Sequence, residues 1–287
     1  MKLRLKLAAL AARILPARWK SALYRSPRLA GLIRSNLNNA APQGMSTVSI
    51  AGGMNKGLQL KLDMQTEKDY WLGTYEVDLQ DAIKKFCKDG MVVYDVGANV
   101  GYISLMFARQ SGETGQVFAF EPLPANCARL QENIDLNGLT GRIRLTQAAV
   151  VDKPGMTSFM VHQSGAMGKA QGSLGRDEHY MNEIEVKAIT LDDFIFKQGH
   201  ARPDLIKMDI EGGEVLAIKG MQRTLRECSP IMLVEIHSHT ALECLWEAFQ
   251  IADYHLYQME KAYPLIHDLT QLGEKTYAIA IPNKKAG

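Results

Sequence analysis

From Met91 onward, short apolar runs alternate with segments whose apolar residues recur at helical spacing. The apolar runs predict strands and the intervening segments predict helices. The predicted strands are Met91–Val96, Gln116–Phe120, Arg142–Val151, Pro203–Met208 and Pro230–Glu235. The predicted helices are Tyr102–Gln110, Pro124–Asn137, Gly213–Arg226 and Thr240–Ile251. Such alternation indicates βαβ units, and hence an α/β protein whose mostly parallel sheet is covered by helices on both faces.

The last part of the chain departs from this alternation. Tyr254–Met259 and Thr276–Pro282 read as two strands with no helix between them, which predicts a terminal antiparallel pair added to the parallel sheet. Gln163–Met181 is polar and glycine-rich, and we interpret it as a long loop.

The N-terminal third divides into two further parts. Residues 1–45 predict one or two basic helices, which form an extension. Ser46–Leu62 alternates like strands with glycine turns, and the later half of Asp69–Phe86 has helical spacing. We therefore expect an extension at 1–45, a lead-in at 46–90 that packs on the core, and a main domain at 91–287.

The charge distribution bears on the extension. The net charge is only +2, yet the first 62 residues contain 11 Lys or Arg and no Asp or Glu. Such asymmetry suggests an anionic partner, such as a membrane surface, a nucleic acid or another protein. Residues 1–34 are thus candidates for peripheral membrane contact. A mitochondrial presequence, a signal peptide interrupted by Arg13, and a solvated helix packed on the domain stay open.

The remaining composition favours a protein of the reducing cytoplasm. The four cysteines are far apart and have no metal-ligand spacing, so we expect free thiols. No apolar run reaches 18 residues, which argues against a transmembrane helix. We expect a cytoplasmic location, with peripheral attachment to the membrane as the alternative.

The strongest motif lies between the first predicted strand and helix of the main domain, where Asp95 precedes Gly97, Asn99 and Gly101. The two glycines allow a sharp turn and a close approach of the backbone to a ligand. The acid stands where a dinucleotide-binding loop would cradle a phosphate, which argues for a cofactor that carries an amino-acid moiety. The next strand ends in Glu121-Pro122, and Glu121 is 24 residues beyond Gly97, near the spacing at which an acid binds both hydroxyls of a ribose.

Charged residues crowd the ends of the next two strands. Lys207, Asp209, Glu211 and Glu214 surround one strand-to-helix turn, which can supply a general base or oxygen ligands for a divalent cation. The alternative for Glu214 is that it only caps the helix. Glu235 and His237 follow the other strand, and histidine is suited to proton transfer near neutral pH.

These motifs together resemble the FkbM family of class I S-adenosylmethionine-dependent methyltransferases. The resemblance extends from Lys56 to about His237 and rests on WLGTYE (71–76), VVYDVGANVGYISL (92–105), VFAFEPLPAN (117–126), ITLDDF (189–194), DLIKMDIEGGEVLAIKGM (204–221) and LVEIH (233–237). It implies a Rossmann-like, seven-stranded sheet with an antiparallel final strand, and O-methylation of a sugar, glycolipid or natural-product hydroxyl.

The resemblance also implies roles for individual residues. Asp95, Gly97, Asn99 and Gly101 would face the methionine part of S-adenosylmethionine, Glu121 with Pro122 would bind the ribose, and Ala149 would lie near the adenine. The expected catalytic residues are Asp209, Lys207, Glu211 and His237, with Asp209 or His237 as base. The expected acceptor contacts are Trp71, Tyr75, Glu76, Glu214 and Glu235, and a divalent cation bridging Asp209 and Glu235 is a variant.

Two other functions stay open at this stage. A nucleic-acid or protein N-methyltransferase is the enzymatic rival, but acidic residues after the fourth strand would repel phosphates, so we expect no nucleic-acid partner. A non-catalytic module that binds the cofactor or a membrane is the second. We expect a small-molecule or glycan acceptor as partner, with a homo-oligomer as a further possibility.

Overall fold

The computed structural model describes residues 43–162, 168–173, 180–273 and 275–285. The predicted basic helices and the membrane contact expected of residues 1–34 lie outside the described residues, as does most of the predicted loop at 163–181. None of the helices in the described part of the chain is long and apolar enough to cross a membrane.

The described residues form thirteen strands and seven α-helices. The strands are β1 (Met45–Ser49), β2 (Gln59–Asp63), β3 (Val92–Val96), β4 (Gln116–Phe120), β5 (Ile143–Thr146), β6 (Ala149–Val150), β7 (Gly155–His162), β8 (Gly168–Ala170), β9 (Tyr180–Ile189), β10 (Leu205–Met208), β11 (Ile231–Ile236), β12 (Tyr254–Gln258) and β13 (Thr276–Pro282). The helices are α1 (Lys68–Leu72), α2 (Val77–Phe86), α3 (Tyr102–Gln110), α4 (Pro124–Leu136), α5 (Glu214–Lys219), α6 (Gln222–Glu227) and α7 (His239–Ile251).

Seven strands form the central sheet, in the order β12-β13-β11-β10-β3-β4-β5. The neighbours from β11 to β5 are parallel, whereas β13 runs antiparallel to both β11 and β12. The predicted α/β fold, its seven-stranded mostly parallel sheet and its antiparallel final strand are therefore confirmed. The arrangement is the Rossmann-like class I methyltransferase fold.

Alternating side chains of the strands build a core on each face of this sheet. Val93 belongs to the apolar cluster that includes Leu105 of α3, whereas the next residue, Tyr94, belongs to the cluster that includes Leu245 of α7. This is the period-two alternation of a strand that is buried on both faces. The segment before β3 packs on the first face, where Ile50 and Leu62 join the same cluster as α3.

The predicted strand Arg142–Val151 is wrong as a single element. β5 ends at Thr146, whose carbonyl accepts a hydrogen bond from the Glu121 amide, and the chain then leaves the central sheet at exposed Gln147. Ala149–Val150 pairs instead with β9, in a second sheet of order β6-β9-β7-β8. Part of the stretch interpreted as a loop, namely β8 and the start of β9, belongs to this second sheet.

The predicted helix Gly213–Arg226 is likewise two helices, α5 and α6. At the break, a Cβ added to Gly220 would lie 2.1 Å from the carbonyl oxygen of Val151, so the backbones touch there. The Asp192 carboxylate then accepts hydrogen bonds from the amides of Arg223 and Thr224 at the start of α6. The capping carboxylate stabilises the start of α6. Because it comes from outside the helix, the local sequence does not indicate that a second helix begins here.

Candidate active site

A cleft of about 950 Å³ opens at the carboxyl ends of β3, β4 and β10. This is the edge at which ligands bind in open α/β sheets. Its walls come from the loops after these strands, the segment before α2, and the second sheet. The lining includes Tyr70, Tyr75, Glu76, Gly97, Asn99, Glu121, Pro122, Ala149, Phe159, Lys207, Asp209 and Glu211.

The backbone conformation of the glycine loop after β3 requires glycine at two positions. Gly97 has φ +82° and Gly101 has φ +87°, and Asn99 between them has φ +49°. A Cβ on Gly97 would lie 1.9 Å from the Asp209 carbonyl oxygen, and one on Gly101 would lie 2.1 Å from a Leu130 methyl carbon. Glycine is therefore needed both for the left-handed backbone and for the close packing. The loop lies directly against the turn that carries Asp209.

Glu121 stands at the end of β4 with its carboxylate buried in the cleft wall. It accepts hydrogen bonds from the amides of Asn99 (2.9 Å) and Leu123 (3.0 Å) and from the side chain of Asn126 (3.1 Å). Burial raises its pKa, although these hydrogen bonds oppose the shift. The carboxylate thus ties the glycine loop to the start of α4 and is fixed in direction.

Asp95 does not line the cleft, in contrast to its expected contact with the methionine part of the cofactor. It is fully buried beneath the loop, because it is still within β3. The Ser104 hydroxyl donates to one carboxylate oxygen at 2.6 Å, and the Lys207 ammonium lies 3.5 Å from the other.

One end of the cleft is apolar. Ala148, Ala149 and Val150 line it where the chain crosses between the two sheets, and Phe159 and Ala170 face them from the second sheet. Phe120 at the end of β4 also contributes to this wall. A flat apolar ring system fits such a surface.

The other end is charged. The Asp209 carboxylate lies 3.7 Å from the Lys207 ammonium. Burial raises the pKa of Asp209 toward neutrality even though Lys207 lowers it, and the charges of Glu235 and Glu76 add to the rise. Burial alone would lower the pKa of Lys207, but the surrounding carboxylates outweigh it and raise that pKa.

His237 lies within this group of carboxylates. Its Nδ1 is 3.1 Å from Glu214, and its Nε2 is 3.2 Å from Glu235 and 3.6 Å from both Asp209 and Glu211. Burial lowers the His237 pKa, but the hydrogen bonds with Glu214 and Glu235 outweigh it and raise the pKa to about 10. The ring is therefore an imidazolium at neutral pH, which disfavours it as a proton acceptor.

Glu214 is fully buried and does not line the cleft, in contrast to the expected acceptor contact, and it does more than cap α5. One of its oxygens accepts from the amides of Ile210 and Gly212, each at 3.2 Å, as well as contacting His237. Glu211 in the same turn has φ +53°, and Gly212 has φ +94°. The carboxylate thereby holds a left-handed turn in place directly after Asp209.

The segment before α2 supplies a different set of residues to the cleft from the set that the sequence predicts. Tyr75 and Glu76 line the cleft, but Trp71 is buried in the core and does not. Tyr70 does line the cleft, and its ring stacks on Tyr102 with a centroid distance of 4.5 Å. Tyr70 was not among the predicted site residues, because the motif that resembles the family begins one residue later, at Trp71.

Lys275 is a second residue that the sequence reading missed. It forms an ion pair with Glu235, and this contact helps to lower the pKa of Glu235 against the opposing effect of burial. Lys275 immediately precedes β13, and the antiparallel register of β11 and β13 brings that end of β13 beside Glu235. The predicted antiparallel pair of 254–259 and 276–282 did not specify the pairing of β13 with β11, which places Lys275 beside Glu235.

Among the residues that the structure describes, two overlapping sets of side chains could hold a metal ion. The donor atoms of Asp209, Glu211 and His237 lie within 4.8 Å of one another, and the same holds for Glu76, Asp209 and Glu235. Carboxylate oxygens suit Mg²⁺ and Ca²⁺, and a neutral imidazole suits transition metals.

Comparison with known proteins agrees with this fold. The model of the methyltransferase FkbM domain matches residues 95–269. The 2-O-methyltransferase NoeI of Sinorhizobium fredii is 33% identical over 152 residues, which cover 48% of this chain and 60% of NoeI. The hexuronic acid methyltransferase AglP of Haloferax volcanii is 26% identical over 185 residues, which cover 63% of this chain and 72% of AglP. The 31-O-demethyl-FK506 methyltransferase FkbM of Streptomyces tacrolimicus is 28% identical over 161 residues, which cover 47% of this chain and 61% of that protein.

The sheet order and the cleft at its carboxyl edge are those of the class I methyltransferase fold. The match over residues 95–269 goes further, and the chain belongs to the FkbM methyltransferase family.

Proposed function

We propose that the protein transfers a methyl group from S-adenosylmethionine to a hydroxyl of a sugar, glycolipid or natural-product-type small molecule. One observation carries this proposal. A single cleft has an apolar end beside Glu121 and a carboxylate-rich end at Asp209, with the glycine loop between them.

The residues present fit S-adenosylmethionine. Ala149 and its neighbours offer an apolar surface for the adenine, and Glu121 has the buried, fixed carboxylate that accepts ribose hydroxyls. Gly97 and Gly101 allow the backbone to approach the remainder of the cofactor, and Pro122 and Asn99 complete that wall. When bound, the cofactor supplies an electrophilic methyl group on a sulfonium.

Asp209 is the base in this proposal. A hydroxyl acceptor must lose its proton, and a base works best when its pKa lies near the working pH. Burial moves the pKa of Asp209 in that direction, whereas His237 already carries a proton. The Asp209 carboxylate oxygen accepts the hydroxyl proton, Lys207 and His237 stabilise its ionised form, and Glu214 holds the turn.

The acceptor contacts come from the charged end of the cleft. Tyr75, Glu76 and Glu211 line the cleft with Asp209, and their oxygens can accept hydrogen bonds from neighbouring hydroxyls of the acceptor. Glu235 lines an adjoining small cavity that shares Glu76 and Asp209 with the cleft. The names of the relatives support an oxygen acceptor, because NoeI is a 2-O-methyltransferase and FkbM acts on 31-O-demethyl-FK506.

The test uses Asp209→Asn, with Asp81→Asn as the control, since Asp81 is an exposed partner of Lys84 away from the cleft. Tritiated methyl transfer onto glycan and lipid extracts is measured beside calorimetric binding of S-adenosylhomocysteine. We expect Asp209→Asn to bind this product normally and to lose at least about a hundredfold in transfer. Full transfer by Asp209→Asn would exclude Asp209 as the base. Absence of binding by the unchanged protein would exclude cofactor-dependent catalysis and favour a non-catalytic module.

We further propose that a divalent cation can bridge Asp209 and Glu235. Supporting this, their donor oxygens lie close together with that of Glu76. Dialysis against a chelator followed by addition of Mg²⁺ or Mn²⁺ tests it. Transfer that survives the chelator unchanged would remove the cation from the proposal.

The remaining partners follow from charge. The acidic end of the cleft disfavours nucleic acid, so loss of transfer after nuclease treatment of the extract would contradict this part.

Cytoplasmic location, peripheral membrane contact through residues 1–34 and a homo-oligomer are proposals from the sequence. Sedimentation with anionic vesicles, compared for the full chain and a variant with neutral residues in that segment, tests the membrane contact. Light scattering of the purified protein tests the oligomer.

A further inference from the structure

Lys207 is a buried lysine whose ammonium group has three partners. Its exposed fraction is 4%. The ammonium donates to the Gly97 carbonyl at 2.9 Å and lies 3.5 Å from Asp95 and 3.7 Å from Asp209. A buried charge is costly unless it is paired and hydrogen-bonded, so these partners account for its presence in the sheet.

The sheet register explains how one side chain reaches all three. Lys207 is paired with Asp95 across the parallel strands β10 and β3, so both side chains lie on one face. Gly97 follows Asp95 by two residues and Asp209 follows Lys207 by two residues. The ammonium therefore lies under the point where the glycine loop and the Asp209 turn leave the sheet.

The glycine loop and the Asp209 turn also touch each other directly above the Lys207 ammonium. The space for a Cβ on Gly97 is filled by the Asp209 carbonyl. The Asp209 amide, in turn, donates to the Val96 carbonyl at 3.1 Å. The backbone contact and the ammonium thus join the same two segments, one from the cofactor side of the cleft and one from the acceptor side.

We propose that Lys207 is a positioning residue that couples the glycine loop to the Asp209 carboxylate, so that occupation of the cofactor end changes the position of that carboxylate. This inference rests on the proposed function for the identity of the cofactor. Lys207 transfers no proton in this role. It acts through the Gly97 carbonyl and the Asp209 oxygen together.

A simpler role is possible, in which Lys207 only neutralises the buried charge of Asp95. Two variants separate these roles. Lys207→Met keeps the length of the apolar stem but removes the charge, leaving Asp95 without its cation. The double variant Asp95→Asn with Lys207→Met removes both charges and so restores neutrality beneath the loop without restoring the link to Asp209.

The experiment follows the Asp209 carboxyl by NMR in the full chain, with aspartate labelled at the side-chain carboxyl carbon. The signal is assigned by its loss in Asp209→Asn, and S-adenosylhomocysteine is the probe. In the unchanged protein we expect saturating probe to shift this signal. In both Lys207 variants we expect the shift to be lost, while calorimetry finds probe binding weakened by about tenfold or less.

Lys275→Met is the matched control. It also removes a lysine charge near the carboxylates around Asp209, but the ion-pair partner of Lys275 is Glu235. We expect it to retain the shift. A shift that persists in both Lys207 variants, or that returns in the double variant alone, would overturn the coupling. If Lys207→Met does not fold, the double variant alone tests the coupling, by loss or retention of the shift. Failure of the unchanged protein to bind the probe would count against the proposed function instead.

Discussion

Substitution of Gly97 by alanine tests the contact between the glycine loop and the Asp209 turn. Gly97 has φ +82°, and the added Cβ would lie 1.9 Å from a backbone oxygen that no side-chain rotation can move. The left-handed backbone alone costs an alanine about 1 kcal/mol. Relief of the overlap requires one loop to move away from the other, which adds about 1–3 kcal/mol. We expect a total loss of about 2–4 kcal/mol.

Gly138→Ala is the matched control, because Gly138 has φ +65° and no atom within 4 Å of the added Cβ. Each kcal/mol corresponds to roughly 2–4 °C in Tm for a chain of this size. Calorimetric melting should therefore give a fall of about 2–4 °C for Gly138→Ala and of about 4–16 °C for Gly97→Ala. S-adenosylhomocysteine should bind normally to Gly138→Ala and more than about tenfold more weakly to Gly97→Ala. Equal melting temperatures and equal binding in the two variants would refute the packing of the loop against Asp209.

Further predictions concern the charged groups of the cleft. Glu121→Gln should weaken S-adenosylhomocysteine binding by about ten- to a hundredfold in calorimetry, because a neutral amide accepts ribose hydroxyls less strongly; unchanged affinity would contradict this. The raised pKa of His237 means that its stabilising effect is complete below its unfolded value near 6.5 and is lost as pH rises to about 10, so Tm should fall over this range, and less so in His237→Asn. Glu214→Gln should lower the His237 pKa in an NMR titration of the ring, and no change would show that Glu214 does not hold the proton. Because burial raises the pKa of Asp209, kcat/KM should rise with pH through a value above that of an ordinary aspartate; a profile that is flat across that region would argue against its role as base.

The central sheet could be predicted because its signal is local. Buried parallel strands such as β3 and β10 are continuous apolar runs, and the glycine loop follows one of them directly. The second sheet could not be predicted in the same way. The residues from 142 to 151 read as one strand, whereas β5 ends at Thr146 and residues 149–150 pair with β9 in the other sheet, a long-range pairing that the local sequence does not encode.

The site was predictable as a set of strand-end residues, but not in its electrostatics. Asp209, Glu235 and His237 could be predicted to lie close together, because they lie at the ends of two strands of the same parallel sheet. The charge state of His237, however, depends on distances of 3–4 Å to acids from two different strand ends. The position of Asp95 shows the same limit. Its place at the end of a strand suggested a ligand contact, whereas the structure buries it under the loop beside Lys207.

The reversed strand β13 has a consequence for the order in which the molecule assembles. Among the described strands, β12 reaches the rest of the central sheet through β13, which lies between it and β11. During synthesis the ribosome releases β12 before β13, so β12 has no neighbour in this sheet until residues 276–282 emerge. Lys275 arrives with β13 and meets Glu235 at that step. The residues that line the cleft, the last of which is Gly213, can therefore all be present on a nascent chain before the ion pair between Lys275 and Glu235 forms.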